Sequence, residues 1–355
     1  MKILRDSILY KNVNEYSAFT CLTRCLNGDI LVAFRLAPNE TPYHHHHSMS
    51  RAVIMRSCDE GETWSEPVMI APDDDIGQQD PHITTLSDGS IFASYFTWQA
   101  HPMTEIPTLF DTYGELAVTK SAIWRCCGVH YAISKDHGYT WTNYGKLIPK
   151  GACREVYANA AMHSKAVEFS GKLLLPIRVE APDSYKHYLV ESYDNGVTWN
   201  YVTEIIRAKP EKHHYYDEGY LYLSPDSTLT CLFRCYDEGG LMEYCSSRDG
   251  GVTWSEPVMT TIWGFPQTIT PISGNRAFLT YGYRREPHGV RAKILKDDLS
   301  DLDETPEIVV YDGGNDVDIG YPSGLELKNG NLLVTYYCID LPGDTRVIKC
   351  AILGE

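Results

Sequence analysis

Polar and apolar positions alternate along most of the chain, which is the two-residue period of half-buried β-strands, and helical periodicity is scarce. Short turn signals divide these runs into pairs, each with a β-rich run before and after the turn. Six such turns stand at Asn27-Gly28, Asp88-Gly89, Ser170-Gly171, Asp226-Ser227, Gly274-Asn275 and Asn329-Gly330. The pattern therefore predicts six antiparallel β-hairpins.

An eight-residue motif, Ser-x-Asp-x-Gly-x-Thr-Trp, recurs four times without a mismatch, at 57–64, 134–141, 192–199 and 247–254. A fifth, decayed copy is predicted at Lys296 to Ser300. The Asp accepts backbone N–H groups, the Gly takes a conformation that other residues resist, and the Trp packs the turn onto a sheet. Copies that lie 77, 58 and 55 residues apart fit a four-stranded unit. We interpret this motif, the Asp box, as structural.

Six hairpins and a repeated turn predict an all-β fold, a six-bladed β-propeller with four-stranded antiparallel blades. The 355 residues would form one catalytic domain, 1–355, with about 59 residues per blade. The last blade runs out of chain after its third strand. We therefore expect Ser7 to Lys11 to supply its outer strand and to close the ring.

Charge and composition narrow the class of partner. The net charge of −16 disfavours nucleic acid and anionic membranes. No apolar stretch is long enough to span a membrane, and Arg5 and Asp6 interrupt the place where a signal peptide needs its apolar core. If Met1 is the native start, a cytoplasmic location is predicted. The eleven cysteines include no CxxC pair, so we expect reduced thiols and no zinc site, and no nucleotide fingerprint indicates a cofactor.

Antiparallel blades bring inner-strand starts, second-strand ends and third-strand starts to one rim around the central funnel. Polar inner-strand starts include Asp80, His163, Glu218 and Tyr321. The second and third strands supply many arginines, among them Arg35, Arg51, Arg178, Arg234, Arg284, Arg291 and Arg346, with Tyr283 beside Arg284. Several planar bidentate donors in a concave site favour a carboxylate or another anionic substituent.

One loop of the first blade carries four consecutive histidines, His44 to His47. Such a loop can donate protons, bind a metal or remain solvated. Adjacent side chains in a row rarely share one coordination sphere, so no metal site is predicted. We expect at least one of these histidines to reach the pocket.

The Asp boxes, the six-blade count and the rim arginines together resemble the sialidase (neuraminidase) superfamily over nearly the whole chain. Enzymes of that family hold a sugar carboxylate with three arginines, attack with a tyrosine polarised by a glutamate and protonate through an aspartate. The stretch DEGYLYLSPDSTLTCLFR resembles the family's Glu-then-Arg blade and implies Glu218 as the base and Arg234 as a carboxylate ligand. GVRAKILKDD is similar to the strand of another such arginine, Arg291, and GYPSGLEL to the segment of the nucleophile, Tyr321.

Two positions depart from the family pattern. The first inner strand reads Tyr16-Ser17-Ala18-Phe19 where the family has Phe-Arg-Ile-Pro, so Arg35 or Arg51 would have to replace the missing arginine. The loop that should carry the acid contains the histidines instead. Asp80, or a histidine of the loop such as His45, would then protonate the leaving group.

The resemblance implies a sialidase-like exo-acting glycoside hydrolase whose carbohydrate substrate ends in an acidic sugar, either sialic acid or a related keto-acid or uronic acid. Tyr283 and His163 would complete the substrate-binding residues. Two alternatives stay open: a uronate-directed lyase with His163, His82 or the histidine loop as base, and a carbohydrate-binding propeller without turnover. The sugar, its linkage and the oligomeric state, which includes a homo-oligomer, also stay open.

Overall fold

The computed structural model describes residues 1–40, 46–72, 76–105, 117–118, 123–152, 160–181, 184–207, 215–236, 239–340 and 345–355. These residues form six β-sheets, each of which contacts the sheet before and the sheet after it, so that the ring closes. The predicted six-bladed propeller with four-stranded antiparallel blades is confirmed. All six predicted turns connect the inner strand of a blade to its second strand.

The chain starts with β1 (Lys2–Tyr10), which joins the last blade. Blade 1 contains β2 (Glu15–Arg24), β3 (Ile30–Pro38), β4 (Arg51–Ser57) and β5 (Val68–Met69). Blade 2 contains β6 (Gly77–Thr85), β7 (Ile91–His101), β8 (Ala117–Val118), β9 (Ile123–Ser134) and β10 (Thr142–Lys146), and a 3₁₀ helix (Met103–Glu105) follows β7. Blade 3 contains β11 (Pro149–Lys150), β12 (Ala160–Ala161), β13 (Val167–Phe169), β14 (Lys172–Ala181), β15 (Ser184–Ser192) and β16 (Trp199–Arg207).

Blade 4 contains β17 (Tyr215–Leu223), β18 (Leu229–Tyr236), β19 (Leu241–Ser247) and β20 (Val258–Trp263). Blade 5 contains β21 (Gln267–Ile272), β22 (Arg276–Tyr283), β23 (His288–Lys296) and β24 (Ile308–Gly314). Blade 6 contains β25 (Gly320–Glu326), β26 (Leu332–Asp340), β27 (Thr345–Gly354) and β1. In the described ranges no helix has the length and apolar character needed to cross a membrane.

The core lies between the blades, because both faces of each second strand pack against a neighbouring sheet. Large side chains at the centres of these strands are completely buried, namely Phe34, Phe92, Phe233, Phe278 and Tyr336. Burial on both faces accounts for the nearly continuous apolar runs of these strands, such as ILVAF. The hydrophobic effect therefore holds adjacent blades together around the funnel.

The N-terminal strand closes the ring, as predicted. β1 runs antiparallel to β27, from Lys2 opposite Gly354 to Tyr10 opposite Ile348. The hydroxyl of Tyr336 also donates to the Asp6 carboxylate at 2.9 Å. β27 is therefore not left as an open edge of the last blade.

Each Asp box forms the turn between the third and fourth strands of its blade. In the first box, Asp59 accepts the backbone N–H of Thr63 at 2.9 Å, and the Ser57 hydroxyl accepts the N–H of Gly61 at 2.8 Å. The same contacts recur in the other three boxes. The decayed copy begins later than the predicted segment Lys296 to Ser300. Its Asp is Asp301, which accepts the Thr305 hydroxyl at 2.9 Å, as Asp59 accepts the Thr63 hydroxyl in the first box.

Candidate active site in the funnel

Four inner strands carry a β-bulge at the same level of the funnel. In β2, β6, β17 and β25, two consecutive residues face one residue of the second strand. The first residue of each bulge has a left-handed backbone, and these residues are Phe19, Asp80, Glu218 and Tyr321, with φ of 63°, 50°, 29° and 47°. Non-glycine residues in this conformation cluster at functional sites. The bulges turn three predicted catalytic side chains towards one cavity.

A second repeated position supplies arginines. The residue before each bulge faces a fixed position near the end of the second strand, where Ala18 pairs with Arg35 and Asp217 with Arg234. In blade 3 the corresponding pair is Ala161 with Arg178. Blades 1, 3 and 4 therefore carry an arginine at the same register position of the second strand.

A small cavity lies at the level of the bulges. Its polar lining includes Asp80, His163, Arg178, Glu218 and Tyr321. Its apolar wall includes Phe19, Phe96, Met162 and Pro176. An enclosed space with an apolar wall and a few convergent polar groups is the usual form of a small-molecule site.

Tyr321 and Glu218 are in direct contact in this cavity. The phenol of Tyr321 donates to Oε1 of Glu218, and Nη1 of Arg234 donates to Oε2 at 2.9 Å. Burial raises the pKa of Tyr321 well above its usual value, and the charge of Glu218 adds to this effect. Burial alone would raise the pKa of Glu218, but Arg234, His163 and the Tyr321 hydroxyl lower it to about 2. At neutral pH the pair therefore consists of a neutral phenol and an ionised carboxylate.

Asp80 and His163 form a second buried pair beside the first. Nδ1 of His163 lies 2.8 Å from Oδ2 of Asp80, and the imidazole ring is 5.2 Å from the Tyr321 ring, edge to face. Burial alone would lower the pKa of His163, but the carboxylates of Asp80 and Glu218 raise it. An imidazolium at this position compensates the two carboxylates.

Asp80, His82 and His163 also have the chemistry of metal ligands. One donor atom of each lies within 4.8 Å of the others, and all three side chains are buried. A carboxylate with two imidazoles suits zinc or iron. Without a metal, the carboxylate of Asp80 is paired with the imidazolium of His163. The expectation that the protein needs no metal or cofactor stays a prediction.

Three arginines surround these pairs. Arg178 forms an ion pair with Asp217, and Arg234 forms one with Glu218. The guanidinium carbon of Arg284 lies 5.7 Å from the centre of the Tyr321 ring and 5.5 Å from that of Phe265. Its Nε donates to the carbonyl of Ile319 at 3.0 Å, and no carboxylate of the described residues forms an ion pair with it.

Arg291 and Tyr283 do not join this group. The guanidinium of Arg291 donates to the carbonyls of Tyr311 at 2.6 Å and Pro287 at 3.2 Å, and its Nε lies 3.2 Å from Glu307. Tyr283 packs under that guanidinium at 4.5 Å. Arg291 therefore holds β23 to β24, and neither Arg291 nor Tyr283 is among the residues that line the cavity, which corrects the predicted placement.

The other predicted residues lie around the site. Arg51 reaches Glu15 at 3.6 Å on the rim. Arg35 is completely buried behind Phe19. His45 falls outside the described residues, and its neighbour His46 packs edge-on against Trp98, with ring centres 4.1 Å apart.

Sequence reasoning did not select Arg178 and Arg284 as site residues, although it placed both on the rim. The signal that would have selected Arg178 is its register, because it stands where Arg234 stands in the next blade. Arg284 directly follows Tyr283, and neighbouring residues near a strand end point in different directions.

The closed ring and the Asp boxes define a sialidase-like β-propeller. The chain belongs to the family described as BNR repeat-like domain, whose model matches residues 109–334. The resemblance to the sialidase superfamily is therefore confirmed, with this chain as a divergent member. No curated protein matches the sequence.

Solved structures share the fold over nearly the full chain. A protein of unknown function from Dyadobacter fermentans is 28% identical, with a TM-score of 0.89 over 99% of this chain and 98% of that one. The leech intramolecular trans-sialidase, complexed with 2,7-anhydro-Neu5Ac, is 14% identical, with a TM-score of 0.69 over 99% and 70%. The Hadza microbial sialidase Hz136 is 16% identical, with a TM-score of 0.67 over 95% and 65%.

Proposed function

We propose that the protein is a glycoside hydrolase that releases a terminal acidic sugar, with Tyr321 as nucleophile and Glu218 as its base. The observation that carries this proposal is the hydrogen bond from Tyr321 to Glu218 inside the cavity. A neutral phenol suits an anionic substrate, because a carboxylate nucleophile would repel it.

The first half-reaction forms a bond between Oη of Tyr321 and the anomeric carbon. The raised pKa of Tyr321 keeps its proton in place until attack, so the proton passes to Oε1 of Glu218 as the bond forms. Arg234 holds the other oxygen of that carboxylate. The glycosidic bond breaks, and Asp80 passes to its oxygen the proton that the Asp80–His163 pair holds, so that Asp80 is left ionised and His163 neutral.

The second half-reaction reverses these roles. Water attacks the anomeric carbon and gives one proton, through the carboxylate of Asp80, back to the Asp80–His163 pair. The bond to Oη of Tyr321 breaks, and Glu218 returns the phenolic proton. Both groups are then in their starting states, so no co-reactant other than water is consumed.

Charge in the funnel supports an anionic substrate. Arg178, Arg234 and His163 each have an acidic partner, whereas within the described ranges Arg284 donates to a carbonyl and forms no ion pair. Arg284 also lies against the ring of Tyr321. A carboxylate bound there would lie beside the reacting carbon, which favours a keto-acid sugar over a uronic acid.

A lyase is the second candidate, because His163 and Tyr321 lie side by side. Elimination would need a neutral histidine to remove the proton next to the carboxylate. Asp80 and Glu218 raise the pKa of His163 and so favour its protonated form. This charge state favours hydrolysis.

The test is product analysis with fluorogenic sialosides, ketodeoxyoctonate glycosides and glucuronides, and with uronate oligosaccharides followed in the near ultraviolet. We expect release of a saturated acidic sugar by the wild type and its loss in Tyr321→Phe. Tyr216→Phe is the matched control, because Tyr216 is a buried tyrosine that donates to a glutamate, Glu243, at 3.2 Å outside the cavity. Full activity in Tyr321→Phe would contradict the proposal, and an unsaturated product would move the assignment to a lyase.

A further inference from the structure

Arg35 is a buried cation that finds no hydrogen-bond partner among the described residues. Its relative exposure is 0%. None of its three guanidinium nitrogens meets an acceptor in the part of the chain that the structure describes. Burial lowers the pKa of Arg35 only to about 10, so the group stays charged at neutral pH. Such a charge is costly to bury unless a partner compensates it.

The carboxylate whose charge acts on Arg35, Asp318, has other partners. Asp318 accepts the hydroxyls of Tyr16 at 3.0 Å and Tyr337 at 2.8 Å, and Nε of Arg346 at 2.8 Å. The centre of the Tyr16 ring is 5.1 Å from the guanidinium carbon of Arg346 and 5.1 Å from that of Arg35. Asp318 therefore forms its ion pair with Arg346, and its charge acts on Arg35 from a longer distance.

The register shows what Arg35 lacks. Arg35 faces Ala18 in blade 1 as Arg234 faces Asp217 in blade 4. In blade 4 the bulge residue is Glu218, which pairs with the arginine. In blade 1 the bulge residue is Phe19. Blade 1 thus keeps the cation, but its own strand supplies an aromatic ring where blade 4 supplies a carboxylate.

Phe19 separates Arg35 from the cavity. Its ring lines the cavity and is 4.4 Å from the ring of Tyr321 on one side and 5.7 Å from the guanidinium carbon of Arg35 on the other. A phenylalanine side chain can rotate about two bonds without disturbing the strand. Displacement of this ring would connect Arg35 to the cavity.

We propose that Arg35 is a binding site for a small monovalent anion, either a carboxylate or a halide, and that Phe19 is the gate over this site. The anion would supply the negative charge that the bulge residue supplies in blade 4. Its source would be a carboxylate entering through the cavity or free chloride. The inference concerns binding alone, so it can fail or hold independently of the proposed hydrolysis.

The test measures anion-dependent stability of the full chain. The urea midpoint is followed while sodium acetate or sodium chloride replaces sodium isethionate at constant ionic strength, and the dissociation constant follows from the increase in stability. We expect Phe19→Ala to bind acetate or chloride with a dissociation constant about tenfold or more below that of the wild type, because the gate is removed. In Phe19→Ala/Arg35→Met the saturable response should disappear.

Phe96→Ala is the matched control, because it also removes a phenylalanine from the cavity wall, and Phe96 itself occupies in blade 2 the register position that Arg35 occupies in blade 1. A response to acetate alone supports a carboxylate site, and a response to chloride supports a halide site. Equal responses of Phe19→Ala and Phe96→Ala, binding that survives Arg35→Met, or no response to either anion would overturn the proposal.

A second measurement covers the case in which Arg35→Met does not fold. Crystals of Phe19→Ala soaked in sodium bromide should show an anomalous peak within hydrogen-bond distance of the Arg35 guanidinium. Bromide peaks at other places only would overturn the proposal.

Discussion

Replacing Glu218 with glutamine should destabilise the protein in a way that depends on pH. The folded state lowers the pKa of Glu218 from 4.5 to about 2. Because one pKa unit corresponds to about 1.4 kcal/mol, the carboxylate stabilises the fold by about 3 kcal/mol at neutral pH. The side chain is buried beside Arg234, His163 and Tyr321, so solvent screens these interactions little.

The sign follows from the lower pKa of the folded state. The contribution of Glu218 is complete above the unfolded value of 4.5 and is lost as the pH falls towards 2. Glutamine carries no titrating group, so the free-energy difference between wild type and Glu218→Gln should shrink across that interval.

Urea unfolding followed by tryptophan fluorescence at a series of pH values measures this difference. Titrating groups that do not contact Glu218 contribute equally to both proteins and cancel, whereas His163, whose pKa Glu218 raises, adds a separate change in the difference near and above its ordinary pKa of 6.5. A difference that stays the same at every pH, or that is absent near neutrality, would refute the assignment of Glu218 as a charged partner of Arg234. Glu218→Gln should also lower the catalytic rate by roughly 10²- to 10⁴-fold, because the base is lost. Glu243→Gln, a change of a buried glutamate outside the cavity, should retain activity.

Three further predictions follow from the contacts. Arg284→Met should raise KM for an acidic sugar by about tenfold or more. Arg291→Met should lower the melting temperature and leave KM unchanged. Steady-state kinetics and thermal unfolding of both variants check these two outcomes. Asp80→Asn should lose roughly 10²- to 10⁴-fold on sugar leaving groups but much less on activated aryl leaving groups, which need no proton; the comparison of the two substrate types is the measurement. Deletion of residues 1–10 should expose the edge of β27 and promote association, seen by size-exclusion chromatography with light scattering, and a monomer of wild-type stability would contradict it.

The repeats in the sequence were enough to predict the fold. Turn pairs such as Asn27-Gly28 and the four Asp boxes mark strand ends through local backbone chemistry, which does not depend on distant contacts. Counting strands then placed Glu218 and Tyr321 at inner-strand starts two blades apart, and the structure brings these two side chains into contact.

The same counting failed where side-chain direction decides the outcome. It placed Arg291 on the rim, but the guanidinium turns to the carbonyls of its own blade. Alternation with a period of two cannot show a β-bulge, so the bulge at Phe19 and the burial of Arg35 behind it had no signal in the sequence. Which residue acts as the acid also depends on packing between blades, because Asp80 in blade 2 contacts His163 in the neighbouring blade 3.

The stereochemistry of the first product tests the central claim most directly. Two displacements through a bond to Tyr321 must release the sugar with retained anomeric configuration. Proton nuclear magnetic resonance of the first anomer formed by the wild type, together with mass spectrometry of rapidly quenched enzyme, reads both the configuration and the covalent intermediate. Retention with a sugar adduct on the peptide that carries Tyr321 is the predicted result. Inversion without an adduct would contradict the assignment of Tyr321 as nucleophile.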